Sequence, residues 1–199
     1  MTVRDLFVTR LYSAEVAPTI DLAELAHSIR SLAADDHAGR GWCKANGYAG
    51  YTSYASLDDL PRRDPAFGDL AKLLVRHAAI FAADLAWDLP RKPKLDSLWV
   101  NLLRGNGHHS AHIHPHSILS GTLYVEVPPG SGAIRFEDPR LPMMMAAPQR
   151  RADAPEALRT FVSVEPVVGQ VLLWESWLRH EVRPGSARGE RMSISFNFA

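Results

Sequence analysis

The 199-residue sequence is short of cysteine and has no surplus of charge of either sign. Its single cysteine, Cys43, cannot form an intramolecular disulfide, which is usual for proteins of the reducing cytosol. Lysine and arginine together number 22, as do aspartate and glutamate. The basic surplus that general nucleic-acid and anionic-membrane binders carry is therefore missing, and we expect neither as a partner.

Long apolar runs, internal repeats and low-complexity linkers are missing as well. No apolar run approaches the roughly 20 residues that a membrane-spanning helix needs. The opening stretch, MTVRDLFVTRLYS, lacks the basic region and apolar core of a signal peptide, so we expect a cytoplasmic protein. At this length, and with 46% hydrophobic residues, we expect a single domain over residues 1–199.

The first half of the chain, residues 1–95, predicts mostly helical structure. Asp21 stands in an N-cap position, and the apolar residues from Leu22 to Ala33 recur at the helical period. Asp64–Pro65 is a second strong helix start, and the apolar face after it continues to Pro90. These helices are expected to support the second half of the chain.

Four other features of the sequence carry predictions. Leu6–Tyr12 favours a short strand, and His77, on the apolar face of the second helix, favours core packing over metal binding. Gly39–Tyr54 is rich in glycine and tyrosine without a period, which predicts a loop that lines a substrate entrance or is pinned to the core. Residues 140–156 predict an irregular segment, whose methionines Met143–Met145 serve as core filler, contact surface or mobile lid.

From residue 96 onward the pattern changes to short extended segments separated by glycine and proline. Helices followed by many short antiparallel strands predict a mainly β fold, a sandwich or jelly roll backed by the N-terminal helices. Residues 96–199 would form its core. The predicted strands are Leu98–Leu103, Thr122–Val127, Ala133–Glu137, Phe161–Val164, Gln170–Trp174 and Arg191–Phe198.

A histidine cluster precedes one of these strands. Five of the nine histidines fall between His108 and His116, directly before the strand-like run Ile118–Val127. Side chains at one-residue spacing on extended backbone point the same way, so His112 and His114 can bind one metal ion. A solvated loop, or a tract that only scavenges metal, is the alternative. The same alternation places the others at the mouth of the site or on the surface: His108, His109 and His116.

The last predicted strand supplies a second candidate, Arg191. Polar residues alternate along it with apolar ones, which predicts helices on one side and a polar pocket on the other. His180 lies eleven residues ahead of Arg191. A simple hairpin would place the two about 5 Å apart, whereas a jelly roll would place both in the roughly 10 Å gap between facing sheets. Either arrangement puts a histidine and a carboxylate-binding guanidinium at one cavity.

Five stretches give the sequence a family resemblance. They are WVNLL, HIHPHSILSGTLYV, GAIRFEDPR, LLWESWLRH and RMSISFNF. In order and spacing the chain resembles the iron(II)- and 2-oxoglutarate-dependent oxygenases, more narrowly a bacterial group of them. The resemblance covers residues 98–199 well and the GW…NGY segment more loosely. It implies a double-stranded β-helix of the jelly-roll, cupin-like type.

The resemblance also implies roles for single residues. His112 and His180 would bind iron(II), and Arg191 would form a salt bridge with the distal carboxylate of 2-oxoglutarate. Ser193 would complete an Arg-x-Ser pair on the same carboxylate. Further cosubstrate contacts are implied for Tyr124 and Asn101. The implied activity is hydroxylation of a small-molecule or peptidyl substrate, coupled to oxidative decarboxylation of 2-oxoglutarate.

The sequence departs from this family at one ligand position. The family pattern has His-x-Asp in the first pair, whereas this chain has His112-Ile113-His114. Three neutral histidines, His112, His114 and His180, suit zinc as well as iron. A carboxylate ligand could come instead from elsewhere in the strand half, the candidates being Glu126, Asp138 and Glu175.

Two other functions compete with the oxygenase. A cupin-like isomerase or keto-acid-independent dioxygenase would also use histidines at this spacing, but it has no need of Arg191. A non-catalytic jelly roll that binds a ligand would retain no metal. A monomer and a homodimer are both compatible with the sequence.

Overall fold

Two antiparallel β-sheets face each other across a cavity, and helices cover the outer face of the larger sheet. The computed structural model describes residues 2–16, 18–57 and 59–199. The helices in these ranges are α1 (Leu22–Asp35), α2 (His37–Ala45), α3 (Leu60–Arg63) and α4 (Pro65–Asp84). None of these described helices combines the length and the apolar character that crossing a membrane requires.

The described residues contain ten strands: β1 (Leu11–Glu15), β2 (Gly50–Thr52), β3 (Leu95–Arg104), β4 (His109–His112), β5 (Leu119–Glu126), β6 (Ile134–Glu137), β7 (Phe161–Val164), β8 (Gln170–Glu175), β9 (His180–Val182) and β10 (Glu190–Phe198). The larger sheet has the order β1-β8-β5-β10-β3-β2, and the smaller has the order β4-β9-β6-β7. The strands of the second half therefore form the two-sheet core that the sequence predicts.

Strand β10 shows how the two faces of the larger sheet differ. Its apolar residues Ile194, Phe196 and Phe198 are fully buried in a core shared with α1 and α4. Arg191 and Ser193 on the opposite face are buried as well, but they line the cavity between the sheets. The predicted arrangement of helices on one side and a polar pocket on the other is confirmed.

The helix starts follow the predicted caps. The Asp21 carboxylate accepts hydrogen bonds from the backbone N–H groups of Ala23 and Glu24, and α1 begins at the next residue. Asp64 caps α4, which begins at Pro65. The predicted continuation of this helix to Pro90 is wrong, because the chain leaves helical geometry after Asp84 and Ala86 has a φ of +55°.

Two further predictions in the first half are wrong. The strand predicted over Leu6–Tyr12 starts only at Leu11, where the pairing with β8 begins, and Phe7 before it is 90% exposed. The predicted loop over Gly39–Tyr54 contains most of α2 and all of β2. That helix forms because the Asp36 carboxylate caps it by accepting from the Gly39 N–H at 2.9 Å.

Two further predictions concern single side chains. His77 lies outside the cavity and shares a 2.8 Å hydrogen bond with the Tyr12 hydroxyl, so its predicted packing role is confirmed. The prediction that methionines of the irregular segment pack in the core is wrong, since Met143 is 75% exposed and Met145 is 94% exposed. The segment itself contains one 3-10 turn, Leu141–Met143, and a second one, Glu156–Leu158, begins at its last residue.

Candidate metal centre and cosubstrate pocket

Three histidines converge at one end of the smaller sheet. His112, the last residue of β4, pairs directly with His180, the first residue of β9. His114 follows two residues after the strand ends, and its backbone N–H donates to the Ser176 carbonyl at 3.1 Å, which holds this segment close to the start of β9. One ring nitrogen from each of the three lies within 4.8 Å of the other two. The one-residue spacing therefore brings His112 and His114 together, as predicted.

Backbone carbonyls orient two of these rings. His112 Nδ1 lies 2.6 Å from the Ser110 carbonyl oxygen, and His180 Nδ1 lies 2.9 Å from the Leu178 carbonyl oxygen. Because a carbonyl oxygen only accepts, each Nδ1 must carry the proton, and each Nε2 keeps a lone pair. Nε2 of His114 lies 3.3 Å from Nε2 of His180. Convergent lone pairs held by outer hydrogen bonds are what a divalent transition metal requires, so the residues fit such an ion.

Burial keeps His114 and His180 in the form that can bind metal. Desolvation, followed by the charge of neighbouring His112, lowers the pKa of His114 to about 4. Desolvation lowers the pKa of His180, which is only 4% exposed, to about 3. Both rings are therefore neutral near pH 7, and metal binding there releases no proton from them.

Arg191 faces the histidines from the opposite sheet. Its guanidinium carbon lies 5.1 Å from the centre of the Tyr124 ring, and its Nη1 donates a long 3.5 Å hydrogen bond to Ser193 Oγ. The side chain is buried, and its Nε has no hydrogen-bond partner among the described residues. Burial lowers the pKa of Arg191. Of the two predicted geometries for His180 and Arg191, the facing-sheet arrangement is the one found.

A polar network borders the pocket next to Arg191. Asn101 Oδ1 accepts from the Thr52 hydroxyl at 2.9 Å and from the Tyr48 hydroxyl at 3.3 Å, and Asn101 Nδ2 donates to Ser195 Oγ at 3.0 Å. The Tyr48 hydroxyl also lies 2.8 Å from His109 Nε2. The Asn101 amide already hydrogen-bonds to three protein side chains. Fewer of its donors and acceptors are therefore free for the predicted contact with a cosubstrate.

One cavity of about 630 Å³ contains all seven predicted site residues. They are Asn101, His112, His114, Tyr124, His180, Arg191 and Ser193. His108 and His109 line the same cavity, as a position at the mouth implies, whereas His116 lines a separate groove next to Trp177. The carboxylate candidates do not reach the histidine cluster: Glu126 pairs with Arg30, Asp138 pairs with Arg140, and Glu175 is absent from the cavity lining.

Trp99 and Trp174 are among the cavity residues that sequence reasoning missed. The Trp99 ring lies 6.0 Å from the His114 ring, and the Trp174 ring meets His180 edge-on at 4.7 Å. Both sit in runs of apolar residues, so the sequence offers only their alternation with core residues as a signal. Their proximity to the histidines depends on how the two sheets face each other.

The second half of the chain matches a known protein family. A family model described as "Putative 2OG-Fe(II) oxygenase" matches residues 97–197, just over half of the chain. No curated protein sequence matches the chain.

Solved structures show the same fold at low sequence identity. A Pseudomonas putida prolyl-4-hydroxylase aligns with a TM-score of 0.62 and 17% identity over 96% of this chain and 92% of that one. SnoN, an α-ketoglutarate-dependent non-heme epimerase of nogalamycin biosynthesis, gives 0.63 and 16% over 96% and 76%. HygX from Streptomyces hygroscopicus, with nickel and 2-oxoglutarate bound, gives 0.57 and 16% over 96% and 82%. The predicted jelly roll is confirmed, and by its family match the chain belongs to the 2OG-Fe(II) oxygenases.

Proposed function

We propose that the protein is an iron(II)- and 2-oxoglutarate-dependent dioxygenase that hydroxylates a small-molecule or peptidyl substrate in the cytoplasm. His112, His114 and His180 would hold the iron. Arg191 and Ser193 would bind the distal carboxylate of 2-oxoglutarate, with Tyr124 beside them. Neither nucleic acid nor a membrane is proposed as a partner, and a homodimer remains compatible with the fold.

One observation carries the proposal: a buried guanidinium without an anionic partner faces three convergent imidazoles. None of the described carboxylates forms an ion pair with Arg191. Burying a charge without a partner is costly, so such a group is retained where a ligand completes it. A carboxylate suits the guanidinium fork, and a dicarboxylate can reach toward the histidines with its other end.

Different residues of this chain have different roles in the proposed reaction. Iron and 2-oxoglutarate, when bound, supply oxygen activation and the electrons for it. His112 and His180 present Nε2 because their Nδ1 protons are committed to backbone carbonyls. Arg191 and Ser193 orient the cosubstrate from the opposite sheet, and the apolar rings of Trp99 and Trp174 limit the access of water to the reacting atoms.

Arg191 also favours this proposal over the alternatives. Three neutral ligands suit zinc as well as iron, and a cupin-like isomerase could use the same histidines. Neither requires a buried cation opposite the metal. HygX, solved with nickel and 2-oxoglutarate bound, supports the binding of a metal and a keto-acid by a protein of this fold.

The ligand assignment is tested with the variant His180→Ala. Removing one of three ligands should lower iron affinity by about tenfold or more, and turnover of 2-oxoglutarate to succinate should disappear. Metal content after dialysis and succinate formation are measured on the same sample. His27→Ala, on the exposed face of α1, is the matched control and should behave like the wild type. Normal iron binding and succinate formation in His180→Ala would show that the assignment is wrong.

A further inference from the structure

The formal charge of the cavity is unusual for a site that holds a divalent cation. Of its lining residues, Arg191 alone carries a fixed charge, and aspartate, glutamate and lysine are missing from the lining within the described part of the chain. The three convergent histidines bind metal only as neutral imidazoles. The protein therefore offers the metal no negative charge.

The charges of the loaded cavity would not sum to zero. A divalent iron and Arg191 bring three positive charges into the cavity, and 2-oxoglutarate brings two negative ones. One positive charge is left over, where a carboxylate in place of His114 would have cancelled it. Charges in a poorly solvated cavity interact more strongly than in water, so this excess favours the entry of an anion.

Four acidic side chains of the strand half are neutralised by arginines. Glu137 pairs with Arg179 at 3.4 Å and Glu181 pairs with Arg135 at 2.8 Å, in the same manner as Glu126 and Asp138. These pairs lie outside the cavity lining, so their carboxylates do not compensate the charge inside it.

An unpartnered donor lies next to the histidines. Trp174 is 2% exposed and lines the cavity, and its indole N–H has no hydrogen-bond partner among the described residues. Its ring meets that of His180 edge-on at 4.7 Å. An indole N–H only donates, so a buried one calls for an acceptor, and an anion is the strongest acceptor.

We propose that the cavity, once loaded with metal and 2-oxoglutarate, binds a monoanion beside His180 and Trp174. This inference rests on the proposed function. The negative charge belongs either to a small inorganic anion or to an anionic group of the organic substrate. Aromatic side chains extend from the histidines to the surface, through Trp99 to Tyr54, at 6.0 Å and 5.2 Å between neighbouring rings. These aromatic side chains can pack against the ring of an organic anion.

The test uses the whole protein loaded with cobalt(II) and 2-oxoglutarate at constant ionic strength. Azide, benzoate and the neutral analogue benzamide are titrated in turn, with the visible absorption of cobalt and calorimetry as readouts. Azide should bind, and benzoate should bind at least about tenfold more tightly than benzamide if the charge decides. Binding of azide alone identifies the small inorganic anion, and binding of benzoate as well identifies an anionic substrate group.

Two variants separate the charge from the donor. His114→Asp supplies the missing negative charge and should weaken azide binding by about tenfold or more. Trp174→Phe keeps the ring, removes the N–H and should weaken it by about tenfold. His116→Asp adds the same charge outside the cavity and is the control, with an expected change below about twofold because surface charge is screened. If His114→Asp fails to fold or to bind cobalt, Trp174→Phe and the comparison of benzoate with benzamide still decide.

The inference is overturned if no probe binds to wild-type protein that holds cobalt and 2-oxoglutarate. It is equally overturned if benzamide binds as tightly as a bound benzoate, or if cobalt-loaded His114→Asp keeps the wild-type affinity for azide. Failure of the wild type to bind cobalt or 2-oxoglutarate contradicts the proposed function instead, so the two failures are distinguishable.

Discussion

Arg191 is a residue whose burial makes sense only with a ligand. In the protein alone it is desolvated, with one long hydrogen bond to Ser193 and an Nε without a partner among the described residues. A group of this kind destabilises the fold and is retained for binding. Removing it should therefore have opposite effects on stability and on function.

The variant Arg191→Met tests this opposition. Without ligands, the variant should gain about 1 kcal/mol or more in the free energy of unfolding, because an apolar side chain of similar length replaces an unpaired charge. Its affinity for 2-oxoglutarate should fall by about 30-fold or more, since roughly 2–5 kcal/mol is typical for a broken buried charge pair. Urea unfolding and calorimetry with metal-loaded protein measure the two effects.

Arg188→Met is the matched control, because Arg188 is exposed three residues away. It should change neither quantity. A drop in the unfolding free energy of Arg191→Met, with unchanged binding of 2-oxoglutarate, would mean that Arg191 is structural.

Sequence patterns located Arg191 and the histidines for a physical reason. Alternation along one strand fixes which side chains share a face, so the order of residues alone places Arg191 and Ser193 opposite Ile194. Alternation separates Trp174 from Val171 and Leu173, but apolar residues lie on both faces of its strand, so the pattern does not show which face meets the cavity. The role of Trp174 depends on the gap between two sheets, which no local pattern encodes.

At the scale of elements, sequence reasoning failed to find α2 and β2, as well as the short elements α3, β4 and β9. Glycine and tyrosine are poor helix formers, so composition favoured a loop over Gly39–Tyr54. The Asp36 carboxylate nevertheless stabilises a helix here. Asp36 caps α2 through Gly39 and accepts from the hydroxyls of Tyr51 at 2.8 Å and Ser56 at 2.5 Å. One side chain thus links the helix, the strand and the following loop.

The variant Asp36→Ala should lower the free energy of unfolding by about 1–3 kcal/mol, because it removes an N-cap together with two further hydrogen bonds. It should also weaken the positioning of Tyr48, which lies between α2 and β2 and contacts His109. Asp35→Ala, at the exposed end of α1, is the control. Urea unfolding measures the difference, and equal stabilities of the two variants would contradict this role for Asp36.

At the scale of the whole molecule, the two sheets enclose neutral histidines in a poorly solvated space. Desolvation lowers the pKa of His109 to about 3, as it does for His180, and the pKa of His114 to about 4. In the unfolded chain these groups titrate near 6.5. Between these values the unfolded chain binds protons that the folded protein does not.

Stability of the metal-free protein should therefore be constant above about pH 7 and fall as the pH drops from about 6.5 toward 4. Each such histidine contributes up to about 1.4 kcal/mol per pH unit, because one pKa unit corresponds to that free energy. His180→Gln, which cannot be protonated, should flatten the slope by about one such contribution, and His27→Gln, on the exposed face of α1, is the control. Urea unfolding in chelator across this range measures the slope, and identical slopes for the wild type and His180→Gln would refute the desolvation of His180.

Saturating metal should steepen the loss of stability on the acid side, since protons and metal compete for the same Nε2 atoms.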